Sequence, residues 1–177
     1  MAVAKGVVNR ALGILQNKSM PAAERRTQLR GVVADNFDFT EMSRSALGYQ
    51  WRKLTPDQRG EFTKLFSSFI VDAYLSKIND YNGQQVAFAG EKSLGQGYSQ
   101  VNSNIVQQGK QPIRVNYLLL QKGGAWKIYD VTVDAISIIA NYRNQFNRVI
   151  NDRGFNALMN DLRSKQQQLA QSLGESH

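Results

Sequence analysis

The spacing of apolar residues along this chain changes period twice, and that double switch constrains its fold more than any other feature. Up to Gly83 apolar residues recur at helical intervals; from Gln84 they alternate; after Asp134 helical intervals return. Helices, then strands, then helices describe an α+β arrangement. The expectation is one domain, residues 1–177, in which an antiparallel sheet of about four strands packs against several helices.

In the first block, Val3, Val7, Val8, Ala11, Leu12 and Leu15 lie at helical spacing, and Asn17 to Pro21 ends that segment. The basic stretch Arg25, Arg26 and Arg30 follows, with Leu29, Val32 and Val33 beside it. Asp38 or Thr40 can cap a short helix closed by Gly48. Thr55-Pro56-Asp57-Gln58 reads as a helix start: a capping residue, proline at the first helical position, and Gln58 completing a capping box. The helix it opens carries Phe62, Leu65, Phe66, Phe69, Ile70, Ala73 and Tyr74 along one stripe, with Asn82-Gly83 as its stop.

Val86 and Phe88 begin the alternation. The polar run through Gly97, Val101 and Ile105 reads as a second, more exposed strand, and Gly95-Gln96-Gly97 as a turn between strands. Ile113, Val115, Tyr117 and Leu119 alternate clearly, Lys122-Gly123-Gly124-Ala125 offers a hairpin turn, and Trp126, Ile128, Tyr129, Val131 and Val133 return. The last block holds Ile136, Ile139, Tyr142 or Arg143, Phe146, Val149 and Ile150 on one helix. After a break at Asp152-Arg153-Gly154, Phe155, Leu158, Met159 and Leu162 lie on another; the polar tail, about 165–177, is expected to fray.

A chain with 42% hydrophobic residues can build a core, and an excess of 22 basic over 14 acidic residues points to nucleic acid, an anionic membrane surface or an acidic partner. With no cysteine, disulfides, thiolate metal sites and cysteine nucleophiles drop out. The lone histidine, His177, is terminal and reads as a tag remnant, so histidine triads and histidine-based metal sites are not expected. No apolar run approaches the roughly 20 residues of a membrane span. The start, Met1 to Gly6, lacks a secretory signal, which leaves a cytoplasmic protein or a chain beginning after its signal was cut away.

Catalytic chemistry is thinly represented. Asp72, Asp80, Asp130 and Asp134 are the candidate carboxylates, without a histidine, cysteine or glycine-rich phosphate loop beside them. The aromatics share stripes with Leu, Ile and Val, which marks them as interior groups and argues against nucleic-acid stacking. The same apolar constellation reads first as plain core; composition does not distinguish a filled interior from a cavity.

Three stretches, in order, resemble the MlaC family of periplasmic phospholipid-binding proteins, also called the toluene-tolerance or ABC-transporter auxiliary family. The first is Phe39-Thr40-Glu41-Met42-Ser43-Arg44-Ser45-Ala46-Leu47-Gly48 with Trp51-Arg52-Lys53-Leu54-Thr55-Pro56-Asp57-Gln58-Arg59 and Phe62. The second is Trp126-Lys127-Ile128-Tyr129-Asp130-Val131. The third is Ile136 to Phe146, containing Ser137, Tyr142 and Arg143, followed by Gly154-Phe155 and Leu158. Together they span about residues 5 to 165; the polar middle, Glu91 to Gln111, carries no family motif.

The resemblance implies an NTF2-like fold enclosing an apolar pocket for phospholipid tails, with no catalysis, no metal and no cofactor beyond the phospholipid cargo. It also implies a periplasmic location with the signal peptide already removed. The lipid would pass between an outer-membrane lipoprotein complex and the MCE-domain subunit of an inner-membrane ABC transporter, maintaining outer-membrane lipid asymmetry. Transient contact with a membrane surface is expected, and nucleic acid is not. A hopanoid-associated branch shares much of the pattern, so a hopanoid or other lipid is an alternative cargo. The physical logic is simple: each methylene exposed to water costs about 0.8 kcal/mol, so acyl chains must travel inside an apolar shelter.

The expected wall comprises Phe66, Phe69, Ile70 and Tyr74, then Val115, Tyr117 and Leu119, Trp126 and Ile128, and Ile136 and Ile139. Tyr142 and Arg143 are candidates for the mouth, near the head group; the structural reading of Arg143 is a pair with Asp130. A competing class is a small NTF2-like isomerase or dehydratase using Asp130 or Asp134.

Overall fold

The structure, a computed structural model, describes residues 1–76 and 80–175; the expectation about His177 lies outside them. In chain order the elements are helices α1 (Ala2–Gln16), α2 (Ala22–Asn36) and α3 (Phe39–Leu47), a 3₁₀ helix (Gly48–Lys53) and α4 (Pro56–Leu75). Strands β1 (Gln85–Gly95), β2 (Tyr98–Val106), β3 (Ile113–Lys122), β4 (Ala125–Val133) and β5 (Ile136–Ser137) follow, then α5 (Ile138–Arg153) and α6 (Phe155–Glu175). The architecture is α+β, and the chain divides into two compact units, each drawn from two stretches of sequence.

The sheet unit holds residues 1–38 and 80–138. Its five strands run antiparallel in the order β1-β2-β3-β4-β5. Val101, Tyr117 and Val131 stand abreast, and Leu119 stands beside Ile128. A bulge in β4 makes this possible: Leu118 pairs with Asp130 and Leu119 with Ile128, so Tyr129 is the extra residue and Ile128 and Val131 come to share a face. Ala4 and Val7 of α1 cover that face at Val101, Leu119 and Ile128, all at most 2% exposed. The end of α2 is tied down where the Asp38 amide donates to the Ile128 carbonyl at 2.9 Å and Lys122 meets the Asp38 carboxylate at 3.3 Å.

Two expectations about the sheet need correction. The second strand is not the more exposed one: Val101 is fully buried, and Ser99 and Ser103 beside it are buried too. Serine tolerates this because its hydroxyl finds a partner; that of Ser103 donates to the Val115 carbonyl at 2.7 Å. Nor does Ile136 open a helix. Asp134 and Ala135 adopt φ of 48° and 70°, the left-handed pair of a two-residue hairpin turn, so Ile136 returns as β5 opposite Val133 and the helix starts at Ile138.

Of the described residues, the helical unit holds 39–76 and 139–175. Gly48 closes α3 at φ +59°, as its placement suggested, with the Arg143 side chain 3.5 Å from where a Cβ would stand. The capping box at the start of α4 is complete: the Gln58 amide donates to Thr55 Oγ1 at 3.2 Å and the Thr55 amide to Gln58 Oε1 at 2.9 Å. Gly154 at φ +90° separates α5 from α6. Of the polar tail expected to fray, residues 165–175 are helical instead, and residues 176–177 lie outside the described residues. α6 runs to Glu175, Leu173 is buried, and Gln166 donates to the buried carboxylate of Asp72 on α4 at 3.0 Å, so apolar and polar anchors continue past Ser164.

Candidate functional site

Of the residues expected to wall a pocket, Val115, Tyr117, Leu119, Trp126, Ile128 and Ile136 belong to the sheet unit. Leu119 and Ile128 sit in the aliphatic core under α1, with Tyr117 and Trp126 partly buried against it. Beside them lies a cavity of about 130 Å³, lined by Met1, Ala2, Val3, Glu91, Ser99, Leu119 and Trp126. Val115 is buried, whereas Ile136 is 66% exposed. Burial raises the Tyr117 phenol above its ordinary pKa of 10.0, and hydrogen bonding with Ser103 partly offsets this.

In the helical unit, the 3.6-residue spacing of α4 stacks Phe62 on Phe66 with ring centres 5.3 Å apart. Phe146 meets Phe66 edge-on at 5.4 Å, and Tyr142 packs against Phe66, Phe69 and Phe146 at 5.8, 5.7 and 5.6 Å. These offset and edge-to-face geometries suit the ring quadrupoles. Ile70 and Ile139 are buried, while Tyr74 is 45% exposed. The structure therefore gathers Phe66, Phe69 and Tyr142 into one aromatic cluster. Phe62, Phe146 and Phe155 join it (Phe155 with its ring centre 6.4 Å from that of Phe62), and the reading of the sequence did not assign these three to the site. The signal for Phe146 was its position four residues after Tyr142 on one helix.

The two candidates for a mouth differ. Tyr142 is half-buried, and burial alone pushes its phenol upward. Arg143 bonds to α3: its Nε donates to the Ser45 carbonyl at 2.7 Å and its Nη2 to the Ser45 hydroxyl at 3.2 Å, which ties α5 to the last turn of α3. The suspected catalytic carboxylates also hold the backbone. Asp130 accepts from the Val131 amide at 2.8 Å and from the Ser137 hydroxyl, and Asp134 accepts from the Arg114 amide at 3.1 Å. Among the described residues no group of three metal-ligating side chains comes together, and no helix is long and apolar enough to cross a membrane.

What the two units define is an α+β protein whose notable chemistry is apolar surface carried by a five-stranded sheet and by an aromatic helix cluster. The chain belongs to the MlaC family: the family described as MlaC protein matches residues 5–164. It is 25% identical over 148 residues to the intermembrane phospholipid transport system binding protein MlaC of Haemophilus influenzae, covering 81% of this chain and 69% of that protein. To the toluene tolerance protein ttg2D of Pseudomonas putida it is 27% identical over 150 residues, with the same coverage. The phospholipid-binding protein of Ralstonia solanacearum, solved in complex with a phospholipid, shares the fold at a TM-score of 0.84 and 23% identity. That match covers 96% of this chain and 97% of the other.

Proposed function

We propose that this protein is a non-catalytic periplasmic carrier that binds a phospholipid by its acyl chains and passes it between membrane-bound complexes. The proposed partners are an outer-membrane lipoprotein complex and the MCE-domain subunit of an inner-membrane ABC transporter, with outer-membrane lipid asymmetry as the outcome. Membership of the MlaC family across residues 5–164 carries the reading. The relatives named for phospholipid transport and toluene tolerance support it, as does the shared fold of a protein solved with a phospholipid in place.

Both units serve this one task in the proposal, as a single lipid-binding domain. The proposed acyl-chain contacts are Phe66, Phe69, Ile70, Tyr74 and Ile139 within the helical unit and Val115, Tyr117, Leu119, Trp126, Ile128 and Ile136 within the sheet unit, with Tyr142 and Arg143 proposed for the head group. No bound cofactor takes part; the lipid is cargo. The deciding experiment is native purification, extraction with organic solvent and mass spectrometry of what comes off. A phospholipid at near-equal molar amount is the expected result, a hopanoid would redirect the cargo assignment, and no lipid from any preparation or after incubation with vesicles would sink the carrier reading. Phe69→Trp and Leu119→Trp test the wall: a lipid load unchanged in both would remove these residues from it.

A further inference from the structure

Among the described residues, four of the five exposed large aliphatic side chains stand at one end of the sheet. They are Val106, Ile113, Val133 and Ile136, between 37% and 66% exposed; the fifth, Leu94, is at the opposite end. Val106 ends β2 and Ile113 begins β3; Val133 ends β4 and Ile136 begins β5. Each pair thus flanks one of two reversals pointing the same way. Ile113, Val133 and Ile136 also share the face on which Val101 and Leu119 are covered by α1, so one face carries both buried and exposed apolar side chains. Soluble proteins rarely gather bare aliphatic side chains this way without something to meet them.

The charge beside the patch says what that is. From Lys92 to Tyr129 the chain holds no acid, and two of its cations, Lys110 and Arg114, lie exposed in the first reversal and immediately after Ile113. Asp134 in the second reversal has its carboxylate turned to the Arg114 amide. Aliphatic side chains at a tip with cations alongside fit a bilayer that carries anionic lipid: the alkyl groups enter the head-group boundary while the cations meet phosphates.

We propose that this end of the sheet, Val106, Ile113, Val133 and Ile136 with Lys110 and Arg114, is a docking surface for an anionic phospholipid bilayer. The inference rests on the carrier reading for its purpose, since the proposed partner complexes sit in bilayers that the carrier comes up against, and on the patch itself for its location. The test uses the full chain and vesicles of phosphatidylcholine and phosphatidylglycerol in about a two-to-one ratio, read by flotation. Val106→Ser with Ile113→Ser is expected to weaken binding about tenfold, and Lys110→Glu about fivefold with a shallower salt dependence. All these positions are exposed, so an unchanged thermal midpoint should accompany each.

Because the chain has no cysteine, Val106→Cys carries a single environment-sensitive dye. Its emission should shift to the blue on adding vesicles, and that of Lys18→Cys should not. Vesicle binding equal to wild type in both patch variants would overturn the proposal. So would an equal dye response at the two positions, or a patch variant that loses only self-association or only lipid load. Extracted lipid is measured on the same samples. A wild-type protein that docks but never holds lipid would defeat the carrier reading while leaving the docking surface standing.

Discussion

In the helical unit the buried centre is made of rings: Phe62 and Phe66 are fully buried and Phe146 nearly so, with contacts from three helices. In the sheet unit it is aliphatic, with Val101, Leu119 and Ile128 packed with Ala4 and Val7 of α1 at one end of the face. The other end carries Ile113, Val133 and Ile136 with much of their surface in water. The two regions teach different things about apolar residues. A helical stripe bundled with other helices becomes core over most of its length, Tyr74 at its end excepted, whereas an alternating strand defines an apolar face whose burial depends on what distant parts of the chain lay over it.

Alanine substitutions break or sharpen that contrast. Phe66→Ala should be the most damaging, about 3–5 kcal/mol of stability, because it opens a cavity among rings that cannot collapse onto it. Leu119→Ala, at the covered end of the sheet, should cost about 2–5 kcal/mol. Ile113→Ala, on the same strand and face but at the bare end, should cost about 0.5 kcal/mol or less. Urea unfolding of the three variants measures all of this. Similar losses for Leu119→Ala and Ile113→Ala would mean that the two ends of the face are equally packed in solution.

Much of the fold was legible because it rests on local chemistry. The capping box at Thr55 to Gln58, the left-handed closure at Gly48 and the Gly123-Gly124 hairpin are written in three or four consecutive residues each. What was illegible depends on partners far along the chain. Ser99 and Ser103 look like surface and are buried, because the Ser103 hydroxyl donates to the Val115 carbonyl and that of Ser99 to the Glu91 carboxylate and the Lys92 carbonyl. Asp134-Ala135 lacks the glycine that usually announces a two-residue hairpin, so β5 passed for helix. The bulge at Tyr129 hid which β4 residues face inward. For the candidate site, the apolar residues could be named from periodicity, but the split between buried Leu119 and exposed Ile136 could not.

Arg143 sharpens the comparison from the helical side, where polar groups also hold the core in place. Its two hydrogen bonds to Ser45 are charge-assisted and partly buried, so Arg143→Ala should cost about 1.5–3 kcal/mol. Arg143→Lys should recover only part of this, since a single ammonium lacks the planar fork that meets the carbonyl and the hydroxyl together. A variant that keeps full stability while losing its lipid load would instead assign Arg143 to the head group.

The smallest effect expected is a titration. Tyr142 packs against three rings, and burial raises its phenol above 10.0 in the folded state. The unfolded chain gives up that proton at pH near 10 while the folded chain keeps it. Stability from this group is therefore whole below about pH 10 and declines as pH climbs through the raised value. Tyr142→Phe cannot ionise, so its unfolding free energy should fall less steeply between about pH 9.5 and 11 than that of the wild type. Tyr117, raised for the same reason in the sheet unit, provides the comparison: Ser103 hydrogen-bonds its phenol and partly offsets the cost of charging it. If Tyr142→Phe leaves the alkaline slope unchanged, the phenol is in water in the folded protein and the aromatic cluster is looser than its ring geometry indicates.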